Sequence, residues 1–395
     1  MTAAPVKTDV ISDLAGVKPD SLLAELRAQR PEATEHAQGS YTALFDPDEP
    51  EGLSAVERFA VATRVSTIHA ATEAIAHYTA RLIASGATPE IVSVAEQPGR
   101  SGGSARLSAL LAHADLLGSH PIDTTPDSHQ SLADAGLSTL EIVQVSQLIA
   151  FLSFQLRVIT ALQLIGGMPL GSGGTDAGMG APATSARGGA GPAATVIRPG
   201  ADLKRPPAFT RDQLSWTPWL EPLDPANATP KQAEALAWRP GNNPYFRLLA
   251  LDGDVLNERT KTDLGIFYTH GGAPRADREL AAAAASRLNG CIFCASVHAR
   301  TAAQLSKRPE DVDRMLDKGI GDIPSLGLGD RWQAVVELAV ALARTPSTAT
   351  PAHITRLREL GLSELEILDV AQAASFFSWA NRLMLTLGEP YYAGE

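Results

Sequence analysis

Apolar residues recur at three- and four-residue spacing along most of the chain. Examples are "SAVERFAVATRVSTIHAATEAIAHYTARLIASG" (54–86), "DRELAAAAASRLNG" (277–290) and "RWQAVVELAVALART" (331–345). This is the period of a helix that turns one face to a core. The same segments are rich in Ala, Leu, Glu and Arg, which favour the helix intrinsically. Ser54 with Glu57, Ser138 with Glu141 and Ser363 with Glu366 have the Ser-x-x-Glu spacing of a capping box, and Asn289-Gly290 reads as a helix stop. No alternating β-branched runs compete, so the pattern predicts an all-α fold.

The pattern is also written twice. "GLSTLEIVQVSQLIAFLSFQLR" (136–157) matches "GLSELEILDVAQAASFFSWANR" (361–382) without a gap, and a similar offset pairs Phe45 with Phe267, Glu57 with Glu279, and "TPEIV" (88–92) with "RPEDV" (308–312). Residues 166–207 interrupt the helical pattern with a run dense in Gly, Pro, Ala, Ser and Thr. Such a run buries too little apolar surface to fold and reads as a flexible linker; without a Gly-Lys-Ser/Thr it is not a phosphate loop. The expected organisation is an N-terminal domain over 1–165, a linker over 166–207 and a C-terminal domain over 208–395, two tandem copies of one helical unit.

Composition narrows the function. The 395 residues are 44% hydrophobic, enough for a sizeable core, and the formal net charge is -11. An acidic chain with no compact basic run has no general attraction for phosphate backbones or anionic lipid, so neither nucleic acid nor a membrane is an expected partner. Nothing at the N-terminus resembles a signal h-region, which makes a cytoplasmic location the expectation. In a reducing compartment the only two cysteines, Cys291 and Cys294, read as a redox or metal site rather than as a structural disulfide.

Cys291, Cys294 and His298 fall on one face of a helix that opens after Gly290. A thiol in a first helical turn lies near unpaired backbone N–H groups, which favours the thiolate. His298, one turn beyond Cys294, is placed to take or return its proton. Three readings follow from the residues alone: a dithiol redox centre, a zinc site completed by a carboxylate, or two small core residues.

The quartet Glu279, Cys291, Cys294 and His298, set in "RELAAAAASRLNGCIFCASVHA" (278–299), resembles the active-site signature of the alkylhydroperoxidase D family, within the carboxymuconolactone decarboxylase-like superfamily. The resemblance implies an all-helical unit that assembles as trimers or hexamers and reduces hydroperoxides through a Cys-x-x-Cys dithiol. It further implies that Cys294 is the peroxidatic thiol, Cys291 the resolving thiol, and Glu279 with His298 the proton relay. One departure is Phe293, where some members carry a histidine. The expected partners are a small-molecule hydroperoxide and an unidentified dithiol reductant. No cofactor is called for and no metal ligand set is assigned. Three chains would supply a six-domain ring of roughly 125 kDa, three times the 41.5 kDa chain. Asn381 and Arg382, near the end of the last helix, are expected to cap or pair at the surface rather than to line the site.

Placing Glu57 on Glu279 puts His69 at the position of Cys291, Thr72 at that of Cys294, and Ala76 or His77 at that of His298. Dithiol chemistry is therefore impossible in the first copy. Glu57, His69 and His77 could form a second, acid/base site of the kind the thiol-free decarboxylase branch uses; the alternative, which we favour, is a structural partner for the second copy. A non-catalytic redox-sensing or zinc-binding protein is the rival from outside the enzymes.

Overall fold

The computed structural model of the protein describes residues 9–171, 191–238 and 241–393. In the N-terminal half, α1 (Val10–Ala15) and α2 (Leu22–Ala28) lead into α3 (Pro31–Phe45), α4 (Ala55–Ile68), α5 (Thr72–Ala84), α6 (Pro89–Ala95), α7 (Ala105–Ser119), α8 (Pro126–Asp134) and α9 (Thr139–Ile165). In the C-terminal half, α10 (Pro230–Ala237) and α11 (Pro244–Leu249) lead into α12 (Gly253–Phe267), α13 (Arg275–Asn289), α14 (Ile292–Ser306), α15 (Pro309–Lys318), α16 (Asp330–Ala343), α17 (Pro351–Glu359) and α18 (Glu364–Thr386). The fold is all-α, as the periodicity requires. Ser54, Ser138 and Ser363 each accept from the amide three residues on, while the Glu at that position returns to the cap amide. Each such cap stabilises its helix by about 1 kcal/mol.

Two strands escape the sequence pattern. β1 (Ser215–Pro218) pairs antiparallel with β2 (Gly388–Tyr391), closing the chain's end onto the segment before α10. A side chain at Gly388 would collide with the Thr217 carbonyl, so the close pairing requires glycine there. Of the expected linker, residues 172–190 lie outside the described residues. From 191 onward the chain is tied down: the Ala194 amide donates to the Leu137 carbonyl at 2.9 Å, and Val196 bridges Leu220.

The contacts between the two halves are reciprocal. α9 and α18 lie against each other, with reciprocal aromatic contacts: Phe151 with Trp379 at 5.2 Å between ring centroids and Phe154 with Phe376 at 6.1 Å. Arg157 donates to the carbonyls of Ala343 and Arg344 at the end of α16 (2.8 and 3.1 Å). Arg382 does the same to Leu117 and Gly118 near the end of α7 (3.0 and 2.8 Å). Each guanidinium thus caps a helix C-terminus of the other copy, where the dipole is negative. α3 and α12 also cross: His36 pairs with Glu258 at 2.8 Å, and a Cβ on Gly265 would come within 2.5 Å of the Ala33 backbone nitrogen. At each end of this crossing a lead-in residue meets the other copy's long helix: Arg30 donates to Asp369 on α18 (2.7 Å), and Asp252 accepts from Gln144 on α9 (3.1 Å). The interface is isologous in form, yet both faces belong to one chain. α9 is long and apolar enough to cross a membrane by composition, but here it is a core helix, buried over almost its whole length.

Candidate active site

α13 ends at Gly290, whose φ of +80° lies in the left-handed region that glycine tolerates. The chain then turns directly into α14, with Cys291 as its N-cap and Cys294 in its first turn. The Cys291 amide donates to the Ser286 carbonyl at 3.0 Å, which fixes the turn. Both thiols are free and nearly sealed, Cys291 at 2% exposure and Cys294 at 5%. Cys291 and Asn381 are neighbours of Cys294.

Burial, reinforced by the neighbouring Cys291, pushes the Cys294 thiol well above its usual range; Asn381 and the charge of Arg259 pull it back only in part. The thiolate expected from the helix terminus is therefore not the resting form of Cys294. The magnitudes decide this: a helix dipole is worth about 0.3–1 kcal/mol, whereas full burial moves an ionisable group by up to about 3–5 pH units, at about 1.4 kcal/mol each.

One turn beyond Cys294 on α14 stands His298, bonded to a buried carboxylate. His298 Nδ1 bonds Glu279 Oε2 at 2.5 Å, and Arg275 Nε donates to Glu279 Oε1 at 2.5 Å. Burial raises the Glu279 carboxyl, but the charges and hydrogen bonds of His298 and Arg275 more than offset this and leave it below its usual range. In the neutral tautomer that donates from Nδ1 to the carboxylate, Nε2 carries the lone pair that can accept a proton. Phe377 packs edge-on against the imidazole at 4.1 Å and Phe267 lies at 5.8 Å, so the ring has little freedom to turn away.

Of the four predicted residues, Glu279 on α13 bonds His298, which follows Cys294 by one turn of α14, and Cys291 caps that helix. Arg275 holds the other oxygen of Glu279, and its sequence signal was the Arg-x-x-x-Glu spacing, one turn apart. Asn381, expected at the surface, is fully buried: it accepts from Asn289 Nδ2 and donates to Ser286 Oγ, both at 3.0 Å, beside Cys294. Arg382 is also buried but serves the interface between the copies. Among the described residues no three His, Cys, Asp or Glu side chains converge as a metal ion needs, so the zinc reading gains no support.

The first copy aligns differently from the sequence expectation. Arg106 bonds Glu57 and Glu141 as Arg331 bonds Asp277 and Glu366, so the counterpart of Glu57 is Asp277 and not Glu279. Arg58 donates to the Leu44 carbonyl as Arg278 does to that of Ile266, which confirms the register. The quartet's places are then held by Phe59, Ala71, Ala74 and Tyr78. The contact of Phe45 with Tyr78 (5.2 Å) mirrors that of Phe267 with His298. Glu57, His69 and His77 are not brought together. Glu57 belongs to a helix cap and an ion pair. His77 bonds the Tyr41 hydroxyl at 3.0 Å, and His69 is buried near Arg157 and Arg382. The similarity of the two copies hid a two-residue slip, because α4 is anchored by Ser54 and α13 by Pro274, which carry no common capping signature.

No curated protein matches this sequence. A solved structure of an uncharacterized peroxidase-related protein from Ralstonia eutropha JMP134, described as an alkylhydroperoxidase AhpD core, is similar at 22% identity and a TM-score of 0.35, over 41% of this chain and 84% of that one. An uncharacterized peroxidase-related protein from Silicibacter sp. TM1040 is similar at 23% identity and a TM-score of 0.36, over 48% of this chain and 95% of that one. The sequence pattern of the carboxymuconolactone decarboxylase family matches residues 253–320, the span from α12 through α15 that supplies Arg275, Glu279, both cysteines and His298. The similarity to the carboxymuconolactone decarboxylase family thus covers the part of the chain that carries the thiol site.

Proposed function

We propose that the C-terminal unit reduces hydroperoxides by dithiol chemistry at Cys294 and Cys291. The observation that carries the reading is the pair of buried free thiols at the start of α14, one helical turn before a His298 whose Nδ1 is bonded to Glu279. His298 Nε2 takes the Cys294 proton, and the thiolate attacks one peroxide oxygen. The O–O bond breaks, the leaving alkoxide recovers the proton from His298 as an alcohol, and Cys294 becomes a sulfenic acid. Cys291 sulfur then attacks the Cys294 sulfur, releasing water and forming the disulfide. An external dithiol reopens it by exchange and is itself oxidised to a disulfide. A small organic hydroperoxide is the substrate class.

Stopped-flow peroxide consumption with a sulfenic-acid trap tests the assignment. Cys294→Ser should abolish turnover, and Cys291→Ser should form one trapped sulfenic acid per chain and then stop, because it keeps the attacking thiol but not the resolving one. Full turnover by Cys294→Ser would reverse the roles; none by the wild type would remove the function.

A further inference from the structure

Arg259, on α12, is 3% exposed, and among the described residues no carboxylate pairs with it. Its Nη2 donates to the Tyr245 hydroxyl at 3.2 Å, and its buried Nε has no partner. The guanidinium otherwise lies over aromatic faces, 5.2 Å from the Phe376 ring and 5.7 Å from that of Trp379. Both rings belong to α18, which also sets Asn381 against Cys294 and Phe377 against His298. Arg259 is within electrostatic reach of Cys294, and Tyr245 within reach of both thiols. A buried cation without an anion is costly, on the order of several kcal/mol, and so is a buried thiolate without a cation. Each of these groups lacks what the other supplies.

We infer that Arg259, anchored by Tyr245, is the counter-cation of the Cys294 thiolate, holding the negative charge that the sulfur must carry before it attacks a hydroperoxide. The role rests on the proposed dithiol reaction and adds a residue to it. In the resting dithiol the guanidinium waits on aromatic faces; when the proton passes to His298, the sulfur becomes its partner. The other groups around the thiols are accounted for. Glu279 on α13 is taken by His298 and Arg275, and Asp263 on α12 faces Tyr245. α18 presents the neutral Asn381, and the α15 acids Asp311 and Asp313 are bound by Arg308, Arg314 and Arg211.

The test is the pH dependence of Cys294 alkylation by iodoacetamide in the reduced full-length protein, read by peptide mass so that Cys291 is scored separately. Arg259→Gln should move the midpoint upward by about one pH unit or more and slow alkylation about tenfold at neutral pH. Arg259→Lys, which keeps the charge, should stay near the wild type, and Tyr245→Phe should shift the midpoint upward by less than Arg259→Gln. Should Arg259→Gln not fold by circular dichroism, the other two variants decide the matter. An unshifted midpoint in folded Arg259→Gln or in Tyr245→Phe, or a lysine variant as impaired as the glutamine one, would overturn the role. Alkylation needs no hydroperoxide, so these outcomes are independent of turnover: a shifted midpoint without turnover would remove the peroxidase reading and leave the counter-cation standing.

Discussion

Glu279 is 1% exposed and bonded on both oxygens, by His298 and by Arg275. At this scale Glu279 is a buried charge that tolerates burial because His298 and Arg275 match it. Glu279→Gln or His298→Gln should lower kcat/KM for hydroperoxide by about 10²-fold or more, the usual contribution of positioned proton transfer, with the alkylation profile displaced in the same variants. Equal kinetics in both would take the relay out of the mechanism. The carboxyl also links the site to pH. Its folded pKa lies below its unfolded value, so its stabilising contribution is present above the ordinary carboxyl range and is lost as the pH falls through the folded value.

At the scale of elements, the two copies differ most in what their matching helices bury. His113 on α7 and His129 on α8 stand where α16 and α17 carry Leu338 and Ile354. The two imidazoles meet edge to face at 6.0 Å. Burial, with the neighbouring His129, pushes His113 down to about 3, and burial pushes His129 down to about 4. Each is neutral when folded but binds a proton near pH 6.5 when unfolded, so unfolding takes up protons as the pH falls. Their contribution to stability is full above about pH 6.5 and is lost progressively toward pH 3–4. The double variant His113→Leu, His129→Ile should accordingly raise the Tm at pH 5 by clearly more than it does at pH 8. Equal changes at both pH values would show that packing alone is altered.

For the whole molecule, the reciprocal contacts between the two halves decide how the parts depend on one another. The buried pair of Arg30 and Asp369 also bonds the backbone before α13: Arg30 donates to the carbonyls of His270 (3.3 Å) and Gly271 (3.1 Å), and the Ala273 amide donates to Asp369 at 2.9 Å. The N-terminal half thereby pins the loop from which Arg275 and Glu279 start. Arg30→Met leaves Asp369 buried and uncompensated, and should cost about 3–5 kcal/mol of stability in chemical denaturation, with Asp369→Asn milder because Arg30 keeps the carbonyls of Gln29, His270 and Gly271 as acceptors. A loss below about 1 kcal/mol in Arg30→Met would mean that solvent reaches the pair. Because α9, α18, α3 and α12 already cover one another within a chain, the expected association of three chains would have to use other surfaces.

Much of this was legible in the sequence, and the boundary has a physical cause. Helices, their Ser-x-x-Glu caps, the Gly290 stop and the repeat are local properties, set within one or two turns of backbone, and composition and spacing determine them. The same holds for the quartet Glu279, Cys291, Cys294 and His298, three of whose members lie within eight residues of one another. What only the tertiary structure decided comes from residues distant in the chain: Arg259, Tyr245 and Asn381 beside the thiols, the β1–β2 pairing across the whole C-terminal half, and the capping of one copy's helices by the other copy's arginines. The true register of the first copy belongs here too, because side-chain partners such as Arg106 and Arg331, and not sequence similarity, identify Asp277 as the counterpart of Glu57. So does the state of Cys294, since a helix terminus can be read from spacing whereas desolvation depends on everything that packs around the sulfur.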